Sequence, residues 1–439
     1  MAIVFVVVGL LVLALFVVLH RYLWIRLVRD TTGPGSVLRR LGTALFVAGP
    51  LLTLATFVGA RAGLPIGLVR VIAWPGYLWA VLFLYLLLAV LAGEVLRPLL
   101  LRLAARRGAP GAAAGAEPAA TLAAGAEPAT GLAAGAALPT AESRSAVAPD
   151  GERERGVTIA PESAATELTR RRLIAQALAG AGVAAAVATV GVGTYGVLRG
   201  PRVLEVEVAL AKLPPEAAGF RLAVVSDTHI GPALARGFTQ TVVDTVNGTA
   251  PDAIVVVGDL VDGDVDDLRP DVAPFAELRA RHGVFFVTGN HEYISGAQQW
   301  VDYLPQLGMR VLQNERVALP GFDLAGVNDL AGEDEGTGPD LDTALAGRDP
   351  ARPVVLLAHQ PAFVDEARTH GVDLQISGHT HGGQVFPGNL LARLANPTLA
   401  GLDRFGDTQL YVTRGAGAWG PPVRVAAPSD VTVLTLTRG

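Results

Sequence analysis

At 439 residues the chain has room for two or three domains. It is 51% hydrophobic and only 17% charged, with a mean hydropathy of +0.42, which is too apolar for an ordinary soluble protein. The net charge of -5 and the lack of any basic stripe give no sign of nucleic-acid binding. The absence of cysteine excludes disulfides, cysteine-ligated zinc and thiol catalysis, so any metal must be held by nitrogen and oxygen.

In chain order, the first elements are apolar runs near 2–19, 41–60 and 71–93, each free of charged residues. A bilayer-spanning helix needs about 20 such residues. Trp74, Tyr77 and Trp79 lie near one end of the third run, where interfacial aromatics belong. The stretch 108–168 follows, rich in Ala, Gly, Pro and Glu, and it repeats itself at 113–119 and 123–129. It has too few large apolar residues to offset ordering entropy and is expected to be a disordered linker. A fourth anchor is expected over 169–200.

Arginine placement orients these spans. Arg21, Arg26, Arg29, Arg39 and Arg40 fill the first loop, while only Arg61 and Arg70 lie in the second. Arg97, Arg102, Arg106 and Arg107 follow the third span, and Arg170, Arg171 and Arg172 precede the fourth. Positive charge stays on the cytoplasmic side, so the chain is expected to be multi-pass in the cell membrane with everything after about Arg199 extracytoplasmic. Arg170–Arg172 with Leu173 and Ile174 also resembles a twin-arginine export signal; the simpler reading is a cytoplasmic anchor for the span.

From Val203 onward, apolar β-rich runs alternate with helix-like stretches at 233–247, 272–281 and 361–370, which predicts an α/β fold. Five runs, 222–225, 254–257, 284–287, 354–357 and 374–376, lead directly into Asp227-Thr-His229, Gly258-Asp259, Gly289-Asn290-His291-Glu292, His359 and Gly378-His379-Thr-His381. Strands that end together would bring these side chains to one rim of a sheet. Two divalent cations there would neutralise phosphate oxygens and generate hydroxide at neutral pH. Asp227 and His229 can point at one metal, Asp259 is the natural bridge, and Asn290 supplies a neutral oxygen. His359, His379 and His381 complete the shells, the last two dividing between the metals. His291 is left beside Asn290, placed to meet the phosphate or leaving group. The other histidines, His20, His282 and His370, are expected to be ordinary surface or interface residues.

In this order the five motifs resemble those of the calcineurin-like metallophosphoesterase superfamily, over roughly Arg221 to Gly439. Gly378–Gln384, Gly258–Gly263 and the tail Gly415–Pro422 are similar to its membrane-associated bacterial members. The resemblance implies an α/β, four-layer αββα sandwich, here preceded by an all-α transmembrane region of about four helices. It implies one metal held by Asp227, His229, Asp259 and His381 and a second held by Asp259, Asn290, His359 and His379. It gives His291 phosphate contact and proton donation, and the metals are Mn, Fe or Zn.

The expected activity is therefore hydrolysis of phosphate esters, preferentially diesters, with Asp259 and His291 at the centre and a metal-bound hydroxide as attacking group. The alternative is a membrane sensor or scaffold that binds a phosphorylated ligand without turnover. A transport role is disfavoured, because the spans carry no intramembrane charge, Glu94 lying only at an edge. Asp262 and Asp264 read as solvated or supporting acids, and Glu292 as orienting its loop. Asn328-Asp329, after another apolar run, reads as shaping the pocket. Arg414 and Arg424 read as phosphate contacts or surface salt bridges, and Trp419 as pocket wall or core.

Overall fold

The computed structural model describes residues 2–59, 62–108 and 162–439. The linker expected over 108–168 falls mainly on residues 109–161, outside the described residues, as does the side chain of Arg170. The chain divides into two compact units, Met1–Gly93 with Gln176–Gly439, and Glu94–Ala175.

Four long helices come first: α1 (Ala2–Trp24), α2 (Val37–Gly59), α3 (Ile66–Gly108) and α4 (Glu162–Leu198). Each contains a segment long and apolar enough to cross a membrane. Close approach of α2 to α3 depends on small residues, since Gly49 lies directly under the Trp79 indole. Thr53 and Thr56 return their hydroxyls to the carbonyls of Gly76 (2.9 Å) and Ile72 (3.0 Å) on α3. His20 is not a surface residue. It is the interface residue of the two expected readings, buried between helices and accepting the Trp79 indole N–H at 3.2 Å.

The remainder runs β1 (Arg202–Leu210), β2 (Arg221–Val225), α5 (Arg236–Gly248), β3 (Ala253–Val257), α6 (Val265–Val272), β4 (Val284–Val287), α7 (Asn290–Ile294), α8 (Ala297–Tyr303), β5 (Met309–Val311), β6 (Glu315–Leu319), β7 (Phe322–Gly326), α9 (Leu341–Ala344), β8 (Val354–Leu357), α10 (Val364–Ala367), β9 (Leu374–Ser377), α11 (Gly388–Ala395), β10 (Gly401–Phe405), β11 (Thr408–Val412) and β12 (Asp430–Arg438). They form two six-stranded mixed sheets, ordered β1-β12-β2-β3-β4-β5 and β10-β11-β9-β8-β7-β6. Parallel pairing joins β2, β3, β4 and β5 in one, and β7, β8, β9 and β11 in the other.

The strands at the centre are buried on both faces, which explains their unbroken apolar runs. Leu222, Val224, Val255 and Val257 face Leu324, Val355, Leu357 and Ile376 between the sheets. On the outside of the first sheet, Ala223, Val225, Ile254 and Val256 meet Phe238, Val242, Val246 and Leu268 of the α5 and α6 layer. On the outside of the second, Val354 and Leu356 meet Leu341, Ala344, Phe363 and Ala367. The four layers of an αββα sandwich result.

Two helix expectations differ. The 272–281 stretch is only a 3-10 turn at Ala273–Glu277, because the regular helix lies earlier, at Val265–Val272, and Pro274 follows its end. The 361–370 stretch is three short turns, with α10 at its centre.

Several contacts join the long helices to the sandwich. Arg70 near the start of α3 pairs with the Asp271 carboxylate. The Tyr85 hydroxyl donates to the Phe386 carbonyl at 2.9 Å, and Val385, Val423 and Val425 pack in the same cluster as Leu23, Tyr85 and Val190. Gly193 of α4 accepts the Arg424 backbone N–H at 3.3 Å. A Cβ at Gly193 would come within 2.7 Å of Val423 and 2.8 Å of the Arg424 carbonyl.

Candidate metal centre

Asp227, Asp259 and Asn290 follow β2, β3 and β4, while His359 and His379 follow β8 and β9, so ligand-bearing loops of both sheets meet at the C-terminal ends of parallel strands. The turns are tight. Gly258 has φ +75°, and a Cβ there would lie 2.6 Å from the Gly289 nitrogen and 2.7 Å from His359 Nδ1. A Cβ on Gly378 would collide with Ser226 Oγ and Asp227 Oδ2. The ligand-bearing residues themselves take up strain: Asp227, His229, Asp259, His379 and His381 all have left-handed backbones, φ +46° to +69°. Such conformations cost of order 1–3 kcal/mol each and persist only where surrounding structure imposes them.

Two groups of donor atoms result. Those of Asp227, His229, Asp259 and His381 lie within 4.8 Å of one another, and so do those of Asp259, His359 and His379. Asp259 is common to both. Asn290 joins the second group, its Oδ1 being 2.9 Å from His379 Nδ1. Closest approaches are 3.0 Å between the Nε2 atoms of His229 and His381, and 3.2 Å from His359 Nε2 to Asp259 Oδ2. His359 donates from Nδ1 to the Val257 carbonyl at 2.8 Å, which fixes the tautomer and leaves the Nε2 lone pair facing Asp259. That Nε2 is buried without a hydrogen-bond partner. An orphaned lone pair beside a carboxylate suits a divalent cation with nitrogen and oxygen ligands, and the residues present fit such ions.

The electrostatics are those of charges forced together away from water. Burial alone would raise the Asp227 carboxyl, yet His381, His359 and His229 hold it well below the usual range. His359 and His229 do the same for Asp259. Burial works against a charged His229, but Asp262, Asp259 and Asp227 push it up to about 9. Burial depresses His381 to about 4, with His229 and Arg424 adding to the effect against Asp227.

Around these groups stands a second row. One oxygen of Asp262, Oδ1, accepts from His229 Nδ1 at 2.9 Å and from His291 Nδ1 at 2.7 Å. Of the two readings the sequence left for this residue, solvated or supporting, the structure shows the supporting one. Asp264, by contrast, caps α6 by accepting the Asp267 N–H. The buried Glu292 carboxylate accepts three backbone N–H groups, from Asp259 (2.9 Å), Leu260 (2.8 Å) and Gly289 (2.7 Å). Burial and the nearby Asp259 push it up to about 7. His291 donates its backbone N–H to Asp259 Oδ1 at 2.8 Å, and its ring stands edge-on to those of His229 and Trp419. Trp419 is 55% exposed and belongs to the rim rather than the core.

Arg424 contradicts the phosphate-contact reading. It is 6% exposed, and its guanidinium donates to the carbonyls of Gly417 (2.6 Å), His381 (3.0 Å), Ala427 (3.1 Å) and Arg414 (2.7 Å). Its donors are occupied in tying the glycine-rich tail to the His381 loop. Arg414 is half-buried, 3.4 Å from the Asp430 carboxylate. Asp329 accepts from Gln360 at 2.8 Å and caps its own loop through Ala331.

Residues 220–383 match the family model of the calcineurin-like phosphoesterases. An uncharacterized metallophosphoesterase of Helicobacter pylori strain J99 is 40% identical over 247 residues, 56% of this chain and 66% of that protein. A transmembrane protein with metallophosphoesterase domain from Danio rerio is 37% identical over 271 residues, 58% of this chain and 62% of its own length. An uncharacterized metallophosphoesterase of Aquifex aeolicus is 35% identical over 240 residues, 54% of this chain and 91% of that protein. The chain thus spans less than two thirds of the first two relatives.

Proposed function

The chain belongs to the calcineurin-like metallophosphoesterase family, and we propose that it is a membrane-anchored, dinuclear metal-dependent phosphoesterase that prefers phosphodiesters. The observation that carries this reading is the sharing of Asp259 between two groups of ligand atoms, with His291 beside them. Asp227, His229, Asp259 and His381 would hold one ion; Asp259, Asn290, His359 and His379 would hold the other, each being Mn, Fe or Zn. When bound, such ions supply Lewis-acid stabilisation of phosphoryl oxygens and an attacking water acidic enough to work near neutral pH.

The chain's own residues do the rest. Asp259 carries negative charge to the midpoint of the site and positions His291 through its backbone N–H. Asp262 accepts a hydrogen bond from Nδ1–H of His291, so the opposite nitrogen, Nε2, is the one that meets the ester; as imidazolium the ring hands its Nε2 proton to the departing oxygen and is left neutral, with Nδ1–H still on Asp262. Glu292 holds the two loops that carry Asp259 and Asn290 in fixed relation. The complete ligand set and the oriented His291 disfavour binding without turnover.

The arginine distribution supports an extracytoplasmic catalytic region, and the Arg70–Asp271 pair is consistent with it, since it puts the second loop and the sandwich on one side. The test uses full-length protein in detergent, with metal content measured and aryl phosphomonoesters and phosphodiesters supplied. Asp259→Asn and His359→Ala are each expected to lower diester hydrolysis at least a thousandfold while the melting profile stays cooperative. Wild-type rates in either variant would refute the assignment.

A further inference from the structure

Among the described residues of the sandwich, exposed large apolar side chains concentrate beside the metal centre. α11 has no buried residue and presents Leu390, Leu391 and Leu394 at 56%, 72% and 85% exposure, with Phe386 at 44% just before it. Spacing of i, i+1 and i+4 puts the three leucines on one helix face. In a folded domain so concentrated an apolar surface marks a contact site.

What covers it is indicated by its neighbours. The Phe386 carbonyl accepts from Tyr85, six residues or about 9 Å along α3 past Trp79, one of the aromatics expected at the interface. Tyr85 lies inside the apolar segment that is long enough to cross a bilayer. Val385 packs against the same long helices. The exposed leucines therefore continue a surface already committed to lipid.

The catalytic rim lies on the same side. Trp419 stands next to His291, Gln384 donates to the Trp419 carbonyl at 2.9 Å, and a Cβ on the adjacent Gly420 would come within 3.7 Å of Tyr77 on α3. Between α11 and the His381 loop is a cleft of about 470 Å³ lined by Gly382, Asn389, Arg393, Asn396, Asp403 and Arg414 among others, the Asp403 carboxylate being taken up by Thr398 Oγ1 and the Arg404 backbone N–H. Arg393 has no carboxylate partner among the described residues, and Asn389 Oδ1 is buried and unpaired.

We infer that α11 lies in the bilayer surface and that the cleft behind it takes the anionic headgroup of a phosphorylated lipid, so the site draws its phosphate ester from the membrane. This rests on the phosphoesterase reading for turnover, but the contact itself does not. An interfacial helix buries its apolar face at the headgroup boundary, and the guanidinium behind it is suited to phosphate.

The absence of native cysteine permits a direct test. Full-length protein carrying Leu391→Cys is labelled with an environment-sensitive fluorophore and reconstituted in phosphatidylcholine vesicles containing a nitroxide lipid. A Glu216→Cys label serves as control. The Leu391→Cys label is expected to be quenched at least threefold more than the control; equal quenching overturns the membrane contact. Nitroxide-labelled phosphatidic acid is expected to quench at least twofold better than nitroxide-labelled phosphatidylcholine at equal mole fraction, with the preference lost in Arg393→Ala. Equal quenching by the two lipids, or loss of the preference on adding free inorganic phosphate alone, overturns the lipid-headgroup assignment. Because fluorescence needs no turnover, these outcomes are separate from failure of the Asp259→Asn experiment.

Discussion

A single oxygen of Asp262 serves both His229 and His291, so removing it would release an imidazole of the metal site and the imidazole proposed to meet the ester. Asp262→Ala is expected to lower diester hydrolysis by about 10- to 100-fold, the range typical when an outer carboxylate behind a ligating histidine is lost. Asp262→Asn should recover part of that activity, since a carbonyl oxygen still accepts at both nitrogens. Rate and metal content measured together check it; no drop in Asp262→Ala would remove the residue from the machinery. The sequence made the seven candidate ligands legible, because an Asp, Asn or His directly after an apolar run has one obvious direction to point. Arg424 was not legible, and Asp262 only as an acid either solvated or supporting. Their roles depend on partners brought near only by the fold, namely two imidazoles from separate loops for Asp262 and five carbonyls for Arg424.

At the scale of elements, the five central strands could be read almost to their ends because strands covered on both faces leave no polar positions. The edge strands β1, β6 and β10 were missed, since their exposure breaks up the apolar run. The short turns around Pro274 and Pro361 were overread as helices for the opposite reason: their apolar spacing is helical, but proline denies the backbone its bonds. The sandwich should depend steeply on the buried layer between α-helices and sheet. Phe286 on β4 is fully buried there, and Phe286→Ala is expected to cost about 3–5 kcal/mol. Denaturant unfolding of the detergent-solubilised protein measures it, and a loss under about 1 kcal/mol would mean that this layer is softer than its packing indicates.

For the molecule as a whole, charge placement along the chain and the Arg70–Asp271 pair support the proposed topology, with the sandwich extracytoplasmic. Glu216 is exposed on the sandwich, so a membrane-impermeant maleimide is expected to label Glu216→Cys in intact cells as fully as after permeabilisation. Labelling only after permeabilisation would place the sandwich inside the cell. The contact at Gly193 has a consequence for how this protein can be handled. Its hydrogen bond and lack of a side chain let α4 lie flat on Val423–Val425, and the Arg424 backbone fixed there carries the guanidinium that ties down the loop of His381. A fragment trimmed to begin after Leu198 would thus lose more than its anchor: the brace behind one proposed metal ligand would go slack, and such a fragment is expected to understate the affinity of the intact chain for the proposed ions.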